Sequence, residues 1–156
     1  MPLCKLADLP RLLPPGGRLM GLDFGTKTIG VAVSDAALRV ASPVTIIRRR
    51  KFSADAAEIA ELVESRNIGG FVVGLPLNMD GTEGKRVQAT RDLTAELLLR
   101  LDLPCAFQDE RMSTQAVERA MIAEADLTRA RRKKAIDSAA AAWILQAALD
   151  SLPAPE

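Results

Sequence analysis

Between Arg18 and Ile47 the chain offers three runs suited to extended backbone, with almost nothing between them to make a crossover. Arg18 to Phe24 (RLMGLDF) is a short apolar run with a carboxylate near its end. Thr28 to Ser34 (TIGVAVS) is rich in β-branched residues, and Val40 to Ile47 (VASPVTII) is a third candidate strand. Only Gly25-Thr26-Lys27 separates the first two. A parallel connection needs a dozen or more residues, so strands this close are expected to form an antiparallel meander. Pro43 lacks an N–H for the ladder, which puts the third strand at a sheet edge or on a bulge.

Beyond this meander the period of the apolar residues changes. Ser53 is expected to cap a helix reaching about Arg66, with Ile59, Leu62 and Val63 on one face. Gly70 to Leu75 (GFVVGL) is an unbroken apolar run, as expected of a strand buried on both faces. A loop, Pro76 to Gly84, leads into a helix ending near Leu99, and Pro104 to Asp109 is a fifth strand. Further helices are expected at about Ser113 to Glu124 and Lys134 to Asp150. Meander, then alternating helix and strand, then helices make an α/β fold with a mixed sheet.

The 156 residues suffice for one compact domain, placed here at 18–150. Residues 1–17, interrupted by Asp8, Arg11 and several prolines, read as a flexible leader without a signal-peptide core, and 151–156 as a frayed tail. No run approaches the ~18 apolar residues of a membrane span. Two cysteines, Cys4 and Cys105, give neither a disulfide framework nor metal-ligand spacing, so a cytoplasmic setting is expected.

The sequence has no histidine. Ser-His and Cys-His catalysis are thereby excluded, and any chemistry must rest on carboxylates, lysines, hydroxyls or backbone groups. Asp23 stands at the end of the first strand beside Gly25, either as a turn initiator or as a rigidly held ligand. Asp109 and Glu110 end the fifth strand. In a regular strand they point to opposite faces, so only one can join a shared site, and strand geometry does not say which. Asp137 shares a helix face with Ala141, Ile144 and Ala148, an apolar alanine-lined stripe that would turn the carboxylate toward the protein. An acid stabilising the helix dipole explains its place near the start, but not its place on that face.

Converging carboxylates repel unless a cation lies among them, and an all-oxygen donor set favours Mg²⁺ or Mn²⁺. Arg129, Arg132, Lys133 and Lys134 belong to a dense basic run leading to Asp137, and Lys85 and Arg86 follow the glycine loop. With Lys27 and Arg111, which adjoin the acids, they form the candidate nucleic-acid-binding set. The remaining cluster, Arg48 to Lys51, reads as solvated surface. With no Tyr and a single Trp, recognition is expected to depend on backbone and shape rather than on stacking. The loop Gly74 to Gly84 is not a Walker A loop, since Met79 stands at the first glycine position and Arg86 follows the lysine. Asn78 and Asp80 within it are further candidates for the site.

Taken together, Gly21-Leu22-Asp23-Phe24-Gly25, Ile29 to Asp35, Val73 to Asn78 with Gly81-Thr82-Glu83-Gly84, Asp109 to Thr114 and Lys134 to Ala140 resemble the YqgF (RuvX) family. The resemblance implies an RNase H-like fold, a five-stranded mixed sheet flanked by helices. It implies a catalytic and metal-holding centre at Asp23, Glu110 and Asp137, choosing Glu110 over Asp109. It also implies a metal-dependent endonuclease that processes the 5′ end of precursor 16S rRNA, acting on structured RNA. The alternatives are a Holliday-junction resolvase acting on branched DNA and a non-catalytic RNA- or ribosome-binding module. A resolvase would be a homodimer, whereas an RNA-trimming enzyme can be monomeric. The first hairpin also resembles the phosphate loop of sugar-kinase-like ATPases, but those need two such domains and this chain has room for one.

Overall fold

The computed structural model describes residues 3–77, 83–109 and 129–152, with the side chains of 129–138 left outside the description. Five strands form one sheet in the order β3-β2-β1-β4-β5. They are β1 (Arg18–Phe24), β2 (Thr28–Ser34), β3 (Ala41–Arg48), β4 (Ile68–Leu75) and β5 (Cys105–Asp109). The described helices are α1 (Leu9–Leu12), α2 (Phe52–Ser65), α3 (Lys85–Arg100) and α4 (Arg129–Asp150). The helix expected at Ser113 to Glu124 lies outside the described residues.

The short connections act as expected: β1 pairs with β2 and β2 with β3, both antiparallel. Pro43 meets both of its conditions, because β3 is an edge strand and the ladder register shifts between Val31 and Ala32, beside Pro43. β1, β4 and β5 are parallel neighbours, so their C-terminal ends share one edge of the sheet. All eight residues of β4 are buried, the result anticipated from its unbroken apolar run.

Strand alternation sends side chains into two cores. Met20, Leu22, Phe24, Ile29, Val31, Phe71 and Val73 face α2 and α3, which contribute Ile59, Leu97 and Leu98. Leu19, Ala32, Val72 and Ala106 face α4, which contributes Ala141, Ile144, Leu145, Ala148 and Leu149.

Two local expectations are corrected. The first turn of α2 is not capped by Ser53: the helix starts at Phe52, its flanking residue is Lys51, and no side chain caps it. Instead the buried Asp55 accepts the Arg50 N–H at 3.2 Å on each carboxylate oxygen. Both carboxylate oxygens accept from the one loop amide, and the charge strengthens the bond. The basic run before Asp137 is helical from Arg129, five residues before the expected start.

The stretch ahead of Arg18 is also more than a loose leader. The Cys4 N–H donates to the Cys105 carbonyl at 2.9 Å, Leu3 bridges to Cys105, and Leu9 is wholly buried in the α4-side core. An apolar side chain with a pocket to fill outweighs the local breaks made by proline. Leu9→Ala is expected to cost about 2–5 kcal/mol, read as a lower urea midpoint with unchanged slope. An unchanged midpoint would show that the segment is only an appendage. Burial, with a smaller contribution from Cys4, pushes the Cys105 thiol up to about 12. Burial and Asp8 also raise Cys4, so neither thiol has thiolate character at neutral pH.

Candidate active site

The site is built at the shared C-terminal edge of β1, β4 and β5. Asp23 is the penultimate residue of β1 and is half-buried. It alternates with Leu22 and Phe24, which enter the α2–α3 core, so it lies on the face covered by α4. Gly21, two residues earlier on that face, is where α4 crosses β1. A Cβ added to Gly21 would lie 2.8 Å from Leu145 Cβ and 3.0 Å from the Ala141 carbonyl oxygen. Glycine here is required by the close approach of the helix.

The direction of α4 decides which of its ends meets Asp23. Gln146 accepts the Ala41 N–H at 2.9 Å and donates to the Arg39 carbonyl at 2.9 Å. Ala41 pairs with Ser34, whose hydroxyl accepts the Leu19 N–H, so Gln146 sits toward the start of β1. The helix therefore runs opposite to β1, and its N-terminal half points to the end carrying Asp23. Asp137 lies one turn ahead of Ala141 in the helix, a shift of about 6 Å. Asp23 lies a similar distance, about 6–7 Å, beyond Gly21 along the strand. The alanine-lined face read from sequence is the buried one: Ala141, Ile144 and Ala148 have at most 1% exposure.

Asp109 ends β5, opposite Leu75. It shares the strand face of Cys105 and Phe107, which belong to the α2–α3 side, so it points away from the face of Asp23. Glu110 and Arg111 lie outside the described residues, as do Asn78 and Asp80 of the loop. The backbone of Asp137, Arg129, Arg132, Lys133 and Lys134 is helical, and their side chains lie outside the description. Among the described residues no three His, Cys, Asp or Glu side chains group as metal ligands.

Of the basic candidates, Lys27 is exposed in the β1–β2 turn, and Lys85 and Arg86 are exposed in the first turn of α3. Cations are disfavoured at a helix N-terminus, so Lys85 and Arg86 add to, rather than offset, a positive end that faces the site edge. Behind them Arg91 donates to Glu83 at 2.6 Å and lies 5.1 Å over the Phe107 ring, tying the start of α3 to β5.

One contact was not foreseen. Arg49 Nη1 donates to the Gly25 carbonyl at 2.9 Å and reaches the Thr26 carbonyl at 3.5 Å. Its backbone N–H donates to the Lys27 carbonyl at 2.9 Å. The turn directly after Asp23 is thus braced from β3. The only sequence signal was the run of basic residues, which does not distinguish an inward arginine from solvated ones.

A sequence model described as "RuvX: Holliday junction resolvase" matches residues 17–151. The chain belongs to the RuvX family. Among its relatives, a Phenylobacterium zucineum protein named "Putative pre-16S rRNA nuclease" is 58% identical over 153 residues, covering 97% of this chain and 98% of the relative. A protein of the same name from Rhodospirillum rubrum is 53% identical over 152 residues, covering 97% and 94%. Coverage this complete takes in most of the segment ahead of Arg18. Among solved structures, T. thermophilus RuvC in complex with Holliday junction substrate aligns with a TM-score of 0.55 at 14% identity, covering 87% of this chain and 98% of that one. That likeness shows the fold, the RNase H-like architecture expected for a RuvX protein. No helix among the described residues is long and apolar enough to cross a membrane.

Proposed function

We propose that this RuvX protein is a metal-dependent endonuclease that hydrolyses phosphodiester bonds and processes the 5′ end of precursor 16S rRNA in the cytoplasm. Asp23, Glu110 and Asp137 are the proposed catalytic and metal-holding residues. The observation that supports this most is the antiparallel crossing of β1 by α4, with Asp23 beyond the crossing on one element and Asp137 one turn before it on the other. Asp109 alternates to the opposite strand face, which supports its neighbour Glu110 over it as the third acid.

The donor chemistry fits Mg²⁺ or Mn²⁺. Histidine is absent from the whole sequence, so the proposed set offers carboxylate oxygens alone. Across the ladder from Asp23 stands Gly30, which has no side chain to compete with the carboxylate. Divalent ions held there would activate water and stabilise the leaving oxygen. The protein's own part is to hold the acids on two rigid elements and to bring phosphates in with Lys27, Lys85, Arg86, Arg111, Arg129, Arg132, Lys133 and Lys134.

The family description supports a second reading, a Holliday-junction resolvase acting on branched DNA, for which a homodimer is the expected form. The two separate in one assay: labelled precursor 16S RNA and a synthetic four-way DNA junction are offered with Mg²⁺, Mn²⁺ or EDTA. Metal-dependent cutting of the RNA at a defined position is expected, with the junction left largely intact. Preferential, symmetric cutting of the junction would overturn the RNA reading. Binding of RNA without cutting in any metal would leave only the binding module.

A further inference from the structure

Arg48 to Lys51 reads from sequence as solvated surface, yet its members have different surroundings. Arg50 is engaged by two acids, Asp55 at 3.5 Å and Glu58 at 3.6 Å. Arg49 braces the Gly25–Lys27 turn through backbone carbonyls. Arg48 is exposed at the end of β3, paired with Thr28. Among the described residues neither Arg48, Arg49 nor Lys27 has a carboxylate partner.

The sheet register then fixes where Arg48 lies. Ile47 enters the α2–α3 core, so Arg48 alternates to the opposite face, which is the face of Asp23. Asp23 pairs with Gly30, and Gly30 with Ile46, two residues before Arg48. Two strand spacings sideways and two residues along put the two backbones about 12 Å apart. Arg48 is thus an exposed cation with no carboxylate partner among the described residues, on the same face and edge as the acid, and at this distance it suits a neighbouring phosphate of the strand being cut.

We infer that Arg48 and Lys27 form a phosphate-contacting strip on the β3 side of the site, with Arg49 as the positioning residue that holds its turn, so that the substrate strand crosses the ends of β1, β2 and β3. The inference rests on the nuclease reading and adds a direction to it. Arg50, already neutralised, is no part of the strip.

Salt dependence tests it, because each lost phosphate contact makes the log–log slope of affinity against salt shallower by about 0.7 for a single strand. Binding of a labelled single-stranded RNA from the precursor 16S 5′ leader is followed by anisotropy in EDTA, so that no cutting intervenes. Arg48→Gln is expected to flatten the slope by about 0.7, Arg48→Lys to restore it, and Arg50→Gln to leave it unchanged. An unchanged slope in Arg48→Gln, or an equal change in Arg50→Gln, overturns the strip while leaving the nuclease reading standing. Failure of the unaltered protein to bind the RNA overturns both.

Discussion

Gly21→Val is expected to lower stability by about 1–3 kcal/mol, the usual range for an overpacked interior, and to reduce cutting by more than that loss explains. The first added atom would already lie 2.8 Å from Leu145 Cβ and 3.0 Å from the Ala141 carbonyl oxygen. Neither is the free end of a flexible side chain, so α4 itself must move off β1. For a domain of this size the melting temperature should fall by about 2–4 °C per kcal/mol. The excess loss of activity follows from the proposed site being split between these two elements, since a shift of about 1 Å can cost 10²-fold. A variant with unaltered melting temperature and full activity would show that α4 does not press on the strand at Gly21.

The second large effect is expected at Asp23. Asp23→Asn keeps the shape of the side chain and removes its charge. On the proposed mechanism it removes a metal ligand, and cutting should fall by roughly 10³-fold or more, about 4 kcal/mol of transition-state stabilisation. The fold should scarcely respond, with a stability change under about 1 kcal/mol. The contrast between the two variants is informative: Gly21→Val loses activity together with stability, Asp23→Asn loses activity alone. Parallel loss of both in Asp23→Asn would make the aspartate a structural residue.

Much of this was legible in the sequence, for identifiable reasons. β1 and β2 match their expected bounds because their turn is short and their patterning strong. β4 was plain from its apolar run, and the inward face of α4 from the spacing of Ala141, Ile144 and Ala148. What escaped depended on tertiary partners. Leu9 sits in a proline-broken stretch whose local signals say loop, and only the α4-side core explains its burial. Ser53 has the right chemistry for a cap, but Asp55 can also reach the Arg50 amide, and periodicity does not rank the two. Arg49 and Arg50 are neighbours of one residue type, yet one braces a turn and the other pairs with acids. For the proposed site, strand alternation in the structure separates Asp109 from the face of Asp23, a choice that depends on which core each face meets.

On the proposed mechanism, three carboxylates that hold a divalent metal carry the cutting of the phosphodiester. The measurement that bears on it most directly is cleavage of labelled precursor 16S RNA by the unaltered protein, Asp23→Asn, Glu110→Gln and Asp137→Asn, each with Mg²⁺ and with EDTA. Cutting by the unaltered protein in Mg²⁺ alone, reduced about 10³-fold or more in every variant, is the predicted result. Cutting that persists in EDTA, or that survives in the three variants, would contradict a carboxylate-held metal as the source of activity.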